Sequence, residues 1–388
     1  MTSDSWSMIT TDSELRAASE LLAAGDGPFG VDTERASGFK YSNRAYLVQV
    51  FRRGAGTFLI DPVGMTDFAP LAETLAGDEW VLHAADQDLP SLAELGLVPA
   101  RLFDTELGSR LLGLERVGLG AVTAELLGIE LAKAHSASDW STRPLPEAWL
   151  EYAALDVALL PDLRDAVATR LEAAGKLEFA DQEFAAVRVR PPKPKAAEPW
   201  RKLTGGNRMR SPRQLAMTRE LWHARDELAR SSDIAPGRLI PDASIVAAVG
   251  ANPRSAGELA ALKTFRGRAS RSELDRWWRA ILRGKTTDDL PGPKQREPGA
   301  LPSHRGWAQR HPEAADRLTE LRAVVTAEAE RQHMPPENLI APALVRELAW
   351  QPPADTSPEG IAIRLAELGA RPWQLGLVAP ILATVFVD

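Results

Sequence analysis

The sequence predicts an α/β domain with a mixed sheet, followed by two all-α units. Short apolar runs of the kind that form buried strands come first, at residues 29–31, 45–51 and 57–60. Helical patterns then alternate with one more strand, at residues 80–82, which is typical of a mixed sheet with helices packed on it. From residue 211 onward the units show helical patterns alone.

The helices of the first domain carry local signals. Thr11 or Asp12 can cap a first helix, and Gly25 ends it. A long helix is predicted from Pro146 to about Gly175.

Two proline-rich stretches, typical of linkers, divide the chain. The first is Pro191-Pro192-Lys193-Pro194-Lys195, and the second, residues 284–302, has four prolines and three glycines. Leu239-Ile240-Pro241 recurs as Leu339-Ile340-Ala341-Pro342, so the two helical units are predicted to be a diverged tandem repeat. The predicted segments are the α/β domain at 1–190, a basic linker at 191–210, a helical domain at 211–285, a second linker at 286–311 and a second helical domain at 312–388.

Composition excludes several classes of protein. The chain is 44% hydrophobic and 26% charged, as ordinary globular proteins are. No apolar run is long enough for a transmembrane helix, and the polar, acidic first residues do not form a secretory signal, so no membrane partner is expected. The absence of cysteine excludes disulfides and thiolate metal sites, and it fits a cytoplasmic location.

The net charge of −7 is unevenly distributed. Residues 181–285 carry 22 Lys and Arg against 11 Asp and Glu, whereas residues 1–180 carry 14 against 28. A basic segment beside an acidic domain suits a protein that binds metal in one place and a polyanion in another. A solvated basic face without a partner is the alternative.

The stretch Gly30-Val31-Asp32-Thr33-Glu34 is the first candidate for a functional site. It lies at the end of a predicted strand, where alternate residues face the same side, so Asp32 and Glu34 point the same way. Adjacent carboxylates repel each other, and a divalent cation between them relieves the repulsion. Two solvated acids are the simpler alternative, so a metal site needs further carboxylates.

Further acids come from two predicted helices. Asp88 lies four and seven residues before two leucines, on the inward face of its helix, whereas Asp86 suits an N-cap. Tyr152 and Asp156 lie one turn apart on an otherwise apolar helix face. A buried tyrosine hydroxyl bonded to Asp156 is the structural alternative.

In chain order these residues are Asp32, Glu34, Asp88, Tyr152 and Asp156, and the order resembles the tyrosine subgroup of the DEDD exonucleases. The surrounding residues 25–175 are similar to the ribonuclease D family. The similar stretches are Phe103-Asp104-Thr105, Arg110-Leu111-Leu112-Gly113, Ser138-Asp139-Trp140-Ser141-Thr142-Arg143-Pro144-Leu145 and Tyr152-Ala153-Ala154-Leu155-Asp156. The helical units resemble HRDC domains, the nucleic-acid-binding modules that follow the nuclease in that family, and the second unit departs further from the pattern.

The resemblance implies a ribonuclease-H-like nuclease domain followed by two HRDC-like domains. It implies a metal-dependent 3′→5′ exoribonuclease that trims RNA 3′ ends and releases nucleoside 5′-monophosphates. The implied partner is RNA with a free single-stranded 3′ end, tRNA precursors and other structured RNAs above all, and the enzyme is expected to be a monomer.

The resemblance also assigns roles. Two divalent ions, Mg²⁺ or Mn²⁺, would be bound, with Asp32 bridging both. Glu34 and Asp156 would hold the ion that carries the attacking water, Tyr152 would orient that water, and Asp88 would hold the second ion.

Arginines are the predicted nucleic-acid contacts. Arg143 either contacts a phosphate or braces the turn that precedes it. The basic middle segment contributes Arg213, Arg266, Arg268 and Arg271, because arginines neutralise phosphates.

Other functions stay open at this point. Gly118-Leu119-Gly120 and Gly284-Lys285-Thr286 match nucleotide-binding motifs only in part, so no nucleotide cofactor is expected. The same acids could act on DNA, since no residue identifies a reader of the 2′-hydroxyl. A catalytically silent nucleic-acid-binding scaffold is a further alternative, and the presence of all four acids argues against it.

Overall fold

The computed structural model describes residues 6–131, 135, 137–192, 194, 196–293 and 299–387. A six-stranded sheet forms the centre of the first domain. Its strands are β1 (Trp6–Ile9), β2 (Asp26–Arg35), β3 (Ala45–Arg53), β4 (Gly56–Ile60), β5 (Glu79–Leu82) and β6 (Arg101–Asp104).

The sheet is mixed, and the predicted fold class is confirmed. The strand order is β1-β4-β3-β2-β5-β6, with β3 antiparallel to β2 and β4 and the other neighbours parallel. The two edge strands, β1 and β6, were not predicted.

In the described part of the first domain, eight helices pack around the sheet. Thr11 caps the first one, and Glu14 completes a capping box, which confirms the predicted start. The helices are α1 (Asp12–Ala23), α2 (Ala69–Leu75), α3 (Leu89–Glu94), α4 (Thr105–Leu111), α5 (Leu119–Leu127), α6 (Glu147–Ala158), α7 (Leu160–Ala173) and α8 (Leu177–Arg188).

The prediction of one long helix from Pro146 to Gly175 was wrong, because α6 and α7 are separate helices that meet at Leu159. Pro161 lacks the N–H group that would bond the carbonyl of Val157 in a continuous helix. That carbonyl lies against Gly30 of β2, where a Cβ atom would approach it to 2.5 Å. The break therefore brings the end of α6 close to the strand that carries Asp32.

Two helical units follow. Their helices are α9 (Pro212–Ser232), α10 (Pro236–Leu239), α11 (Asp242–Ala251), α12 (Ala256–Ala261), α13 (Arg268–Ser272) and α14 (Leu274–Thr286), and then α15 (Trp307–Arg310), α16 (Pro312–Arg331), α17 (Pro336–Leu339), α18 (Pro342–Trp350), α19 (Pro358–Glu367) and α20 (Pro372–Ala383). Short 3₁₀ helices occupy 85–87, 199–202, 206–208, 263–265, 304–306 and 384–386.

The predicted repeat is visible in the structure. In each unit a long helix leads to a four-residue helix that ends in leucine, followed by an extended isoleucine and a further helix. The two isoleucines, Ile240 and Ile340, have nearly the same backbone angles.

The two units differ in how they contact the first domain. The first unit has its own core, built around Leu221, Phe265 and Trp277. The second unit shares one continuous apolar core with the first domain. In that shared core Trp373 stacks on Phe179 with ring centroids 4.6 Å apart.

Polar contacts reinforce the attachment of the second unit. Glu183 of α8 accepts a hydrogen bond from Trp373 Nε1 at 3.1 Å. The buried Lys176 donates from Nζ to the Leu111 carbonyl at 2.6 Å and to the Gln332 carbonyl at the end of α16. The second unit is therefore fixed against α4 and α8.

The predicted segment boundaries stay predictions. Residues 1–5, 132–134, 136, 193, 195, 294–298 and 388, which include parts of both predicted linkers, lie outside the described residues. Over the described ranges, no helix is both long enough and apolar enough to cross a membrane.

Candidate active site

Strand β2 supplies the first two acids. Asp32 lies opposite Gln49 of β3, and Glu34 lies opposite Leu47, so both acids lie on the sheet face that α6 covers. Glu34 is buried, and Asp32 is half-buried. Asp32 Oδ1 accepts a hydrogen bond from the Thr33 amide at 2.8 Å.

The third acid, Asp88, follows the end of β5. It lies directly before α3 rather than on its inward face, and it is buried, whereas Asp86 is exposed. Thr33 Oγ1 donates to Asp88 Oδ1 at 3.0 Å, and Arg35 Nη2 lies 3.4 Å from the same oxygen. Arg35 thus gives Asp88 a positive neighbour.

Helix α6 supplies Tyr152 and Asp156, one turn apart. Asp156 is buried, and Tyr152 is half-buried. The helix is fixed to the sheet by an apolar cluster that includes Leu47, Leu59 and Trp140. Because α6 packs on β2, β3 and β4, these side chains reach the acids of β2.

The pKa values of the four acids reflect their burial and the short distances between their carboxylates. Burial, and then the Asp88 and Asp156 carboxylates, raises the pKa of Asp32 well above its usual range. Burial and the charges of the other three acids raise the pKa of Glu34 to about 10. Burial raises the pKa values of Asp88 and Asp156 to about 6. Without a cation, the cluster therefore retains protons at neutral pH.

Tyr152 is held neutral. Burial, and then the neighbouring Asp156 carboxylate, raises the pKa of Tyr152. The tyrosine therefore offers an un-ionised hydroxyl to the acid cluster.

The cluster fits divalent cations in charge and in donor chemistry. Its ligands are carboxylate oxygens, which Mg²⁺ and Mn²⁺ prefer, and a cation removes the repulsion that raises the pKa values. Within the described part of the chain no three acidic or histidine side chains already converge as a ligand set. The acids share a site, and Asp88 is turned to its arginine partner.

A cleft of about 1610 Å³ opens beside Tyr152 and Asp156. Its other walls include the first turn of α5 and the side chains of Arg116 and Arg170. These two arginines were not predicted as site residues, since neither belongs to the basic middle segment. Arg35 was also missed, although its position beside Glu34 was a usable signal.

Arg143 has a structural role. Its Nε and Nη2 donate to both carboxylate oxygens of Asp61 at 2.6 and 2.7 Å. Its Nη1 donates to the carbonyls of Trp140 and Thr142, and Nη2 also donates to the carbonyl of Tyr46. With its donors used in this way, the guanidinium braces the turn, which is one of the two roles predicted for it, and the structure favours this role over a phosphate contact.

Arg213 also bonds within the protein. Its Nη1 donates to the carbonyls of Gly284 and Thr287 at 3.2 and 2.7 Å, at the end of α14. The structure therefore favours a capping role for Arg213 over the predicted nucleic-acid contact. Arg266, Arg268 and Arg271 are exposed on and just before α13.

Comparison with known families agrees with this architecture. Residues 6–172 match the family model of a 3′-5′ exonuclease, residues 214–281 match the HRDC domain, and residues 300–386 match a 3′ to 5′ exonuclease C-terminal domain. The second helical unit, predicted to be HRDC-like, thus matches a model of its own. Exonuclease domains of this family depend on divalent metal ions.

Individual relatives carry one name. The chain is 32% identical to ribonuclease D of Pseudomonas paraeruginosa over 324 residues, which is 82% of each protein. It is 32% identical to ribonuclease D of Escherichia coli over 262 residues, covering 66% of this chain and 69% of that protein.

Solved structures extend the likeness over the whole chain. A crystal structure of a protein from Bifidobacterium adolescentis is 36% identical, with a TM-score of 0.89 over 97% of this chain and 96% of that one. The crystal structure of Escherichia coli RNase D, described as an exoribonuclease involved in structured RNA processing, is 27% identical, with a TM-score of 0.70 over 98% of each chain. The chain belongs to the ribonuclease D family and is a 3′→5′ exoribonuclease.

Proposed function

We propose that this exoribonuclease uses two divalent ions, Mg²⁺ or Mn²⁺, held by Asp32, Glu34, Asp88 and Asp156, to release nucleoside 5′-monophosphates. The observation that carries the proposal is the crowding of four acids in a buried site, where Asp88 and Asp156 raise the pKa of Asp32, and all three raise the pKa of Glu34. Carboxylates that only stabilised the fold would be paired with cations, as Asp88 is with Arg35, whereas among the described residues Asp32, Glu34 and Asp156 form no ion pair.

Each residue has a role in this proposal. Bound divalent ions lower the pKa of a coordinated water and offset the charge that develops on the phosphate. Asp32 would hold the ions from the middle of the cluster, because the charges of both Asp88 and Asp156 act on it. Glu34 and Asp156 would serve the ion that activates the attacking water, and Asp88 would serve the other.

Tyr152 positions the attacking water through its neutral hydroxyl. The raised pKa of Tyr152 keeps the phenol protonated over the working pH range. Tyr152 also lines the cleft next to Asp156, where the 3′ end of a strand would enter.

The substrate is single-stranded RNA at a free 3′ end, in tRNA precursors and other structured RNAs. The first helical unit supports this choice. Arg266, Arg268 and Arg271 are exposed, and among the described residues none of the three has an ion-pair partner. Three such guanidinium groups on one short segment suit a phosphate backbone. A monomeric state and a cytoplasmic location stay predictions from the sequence.

The test compares matched 5′-labelled single-stranded RNA and DNA with Mg²⁺, with Mn²⁺ and with EDTA. Wild type should give a metal-dependent ladder that shortens from the 3′ end of RNA, and Asp156→Asn should not. Glu151→Gln is the matched control, since Glu151 is exposed on the same helix and should cut like wild type. Activity in both Asp156→Asn and Asp32→Ala would contradict the site, and faster loss of DNA would contradict the substrate.

A further inference from the structure

The loop of residues 36–44, here the strand-exit loop, connects β2 to β3. It begins two residues after Glu34, so its conformation affects where β2 ends. Its first half is a tight turn, in which the amides of Phe39 and Lys40 donate to the carbonyl of Ala36 at 3.0 and 2.9 Å. The rest of the loop extends to the first helical unit.

Asp233 of the first helical unit holds the far side of the loop. It caps α9 in the left-handed conformation, with φ of 48°. Its Oδ1 accepts from the Ser42 amide at 3.0 Å, and its Oδ2 accepts from the Tyr46 hydroxyl at 3.2 Å. One carboxylate thus bonds both the loop and β3.

Arg238 and Ala235 hold the turn. Arg238 Nε donates to the Gly38 carbonyl at 2.7 Å, and its guanidinium lies 3.9 Å from the centroid of the Phe39 ring. The Ala235 amide donates to the Phe39 carbonyl at 2.9 Å. These backbone bonds fix the path of the loop.

A fourth contact is made by Tyr41, which lies between the turn and Ser42. The Tyr41 hydroxyl donates to Asp226 Oδ1 at 3.0 Å, and its ring packs on the core of the first helical unit. We name the four residues Asp226, Asp233, Ala235 and Arg238 the clasp.

The clasp also reaches the other side of the acid cluster. Tyr46, bonded to Asp233 through its hydroxyl, accepts a hydrogen bond from Arg143 at its carbonyl, at 2.8 Å. Arg143 holds the turn that contains Trp140, and Trp140 lies in the apolar cluster beneath α6. The first helical unit is therefore bonded to the loop that follows the strand of Asp32, and it is linked through Tyr46 and Arg143 to the turn that supports the helix of Asp156.

A domain that only held RNA would need none of these contacts, because a tether is sufficient for a second binding site. We propose that the clasp is a positioning device, by which the first helical unit fixes the active-site strand and so sets the rate of the chemical step. This inference rests on the acid site proposed above. Clasp residues touch neither the substrate nor the acids.

A short substrate separates this role from RNA binding. A dinucleotide without terminal phosphates has a single phosphodiester. That group must lie in the active site to be cut, so no phosphate remains for the basic helical unit to bind. The double variant Asp233→Gly, Arg238→Met, made in the full-length chain, removes the hydrogen bonds that the two side chains make. Glycine suits the positive φ at residue 233, and methionine keeps the apolar contact with the Phe39 ring.

We expect kcat on the dinucleotide to fall about tenfold in this variant, since small displacements of reacting groups are costly. Affinity for long single-stranded RNA, measured in EDTA, should not change. Asp233→Asn keeps an acceptor for the Ser42 amide and should restore much of the rate. Glu227→Gln, a change at an exposed acid one residue from Asp226 on α9, should cut the dinucleotide like wild type.

Wild-type kcat in the double variant would overturn the inference, as would weaker RNA binding with unchanged kcat. If thermal unfolding shows that the double variant is not folded, the single exchanges Asp233→Gly and Arg238→Met decide by the same kcat comparison. Asp32→Ala is run beside them on the dinucleotide. Activity in Asp32→Ala refutes the acid site, whereas a dead Asp32→Ala beside an unaffected clasp variant refutes the clasp alone.

Discussion

Asp156→Asn should abolish hydrolysis. In the metal-free protein at high pH, the same exchange should raise the free energy of unfolding. Burial raises the pKa of Asp156 from 3.8 to about 6 in the folded protein. The stability that this group contributes is fully present below its unfolded pKa and is lost as pH rises through about 6. Asparagine does not ionise, so residue 156 of the variant causes no loss of unfolding free energy over that pH range.

The size of the effect follows from the shift. At about 1.4 kcal/mol per pKa unit, the variant should gain about 3 kcal/mol of unfolding free energy on wild type between pH 4 and pH 8. Urea unfolding in EDTA at a series of pH values, followed by tryptophan fluorescence, measures this difference. Glu151→Gln on the same helix should run parallel to wild type.

Metal should reverse the order of stability. Ions that bind the folded state stabilise wild type, and Asp156→Asn has lost a ligand. The reasoning is refuted if the EDTA curves of wild type and Asp156→Asn stay parallel from pH 4 to pH 8, because burial of Asp156 would then carry no electrostatic penalty.

The remaining predictions concern single features of the site and of its surroundings. Tyr152→Phe should lower kcat about 100-fold and leave RNA affinity unchanged; an active variant would exclude a role for the hydroxyl in placing the water. Arg143→Met should lower the unfolding free energy by about 3 kcal/mol in urea without weakening RNA binding, and the opposite pair of results would restore Arg143 as a phosphate contact. Binding of Mg²⁺ at pH 7 should release about two protons, because Asp32 and Glu34 are protonated in the metal-free site. Calorimetry in buffers of different ionisation enthalpy measures the number of protons released. Binding heats that do not depend on the buffer would contradict the prediction. Exchange of three arginines for glutamine should reduce the slope of the logarithm of the RNA-binding constant against the logarithm of the salt concentration by about two; the three are Arg266, Arg268 and Arg271. An unchanged slope would show that these side chains do not contact phosphates.

Much of the fold could be predicted from local patterns. The central strands are continuous apolar runs, and Thr11 starts its helix with a capping box whose residues are adjacent in sequence. Asp32 and Glu34 followed from the period of a strand, and Tyr152 and Asp156 from the period of a helix. These features depend on neighbours a few residues away.

Other features depend on distant partners. Which of its two predicted roles Arg143 takes is set by Asp61, which lies 82 residues earlier in the chain. The break at Leu159 reflects the contact of Val157 with Gly30, together with the missing N–H group of Pro161. Pro161 was a local signal of that break, whereas Asp61 and Gly30 lie outside a window of one helix.

The core that the second helical unit shares with the nuclease domain has a consequence for protein synthesis. A ribosome makes Val81 and Phe103 of that core long before it makes Trp373 and Leu382. While the chain is still growing, the parts of α4 and α8 that contact α17 and α20 are open to solvent, although α7 and β6 already cover their other sides. The apolar core of the nuclease domain therefore reaches its full extent only after α20 has been made.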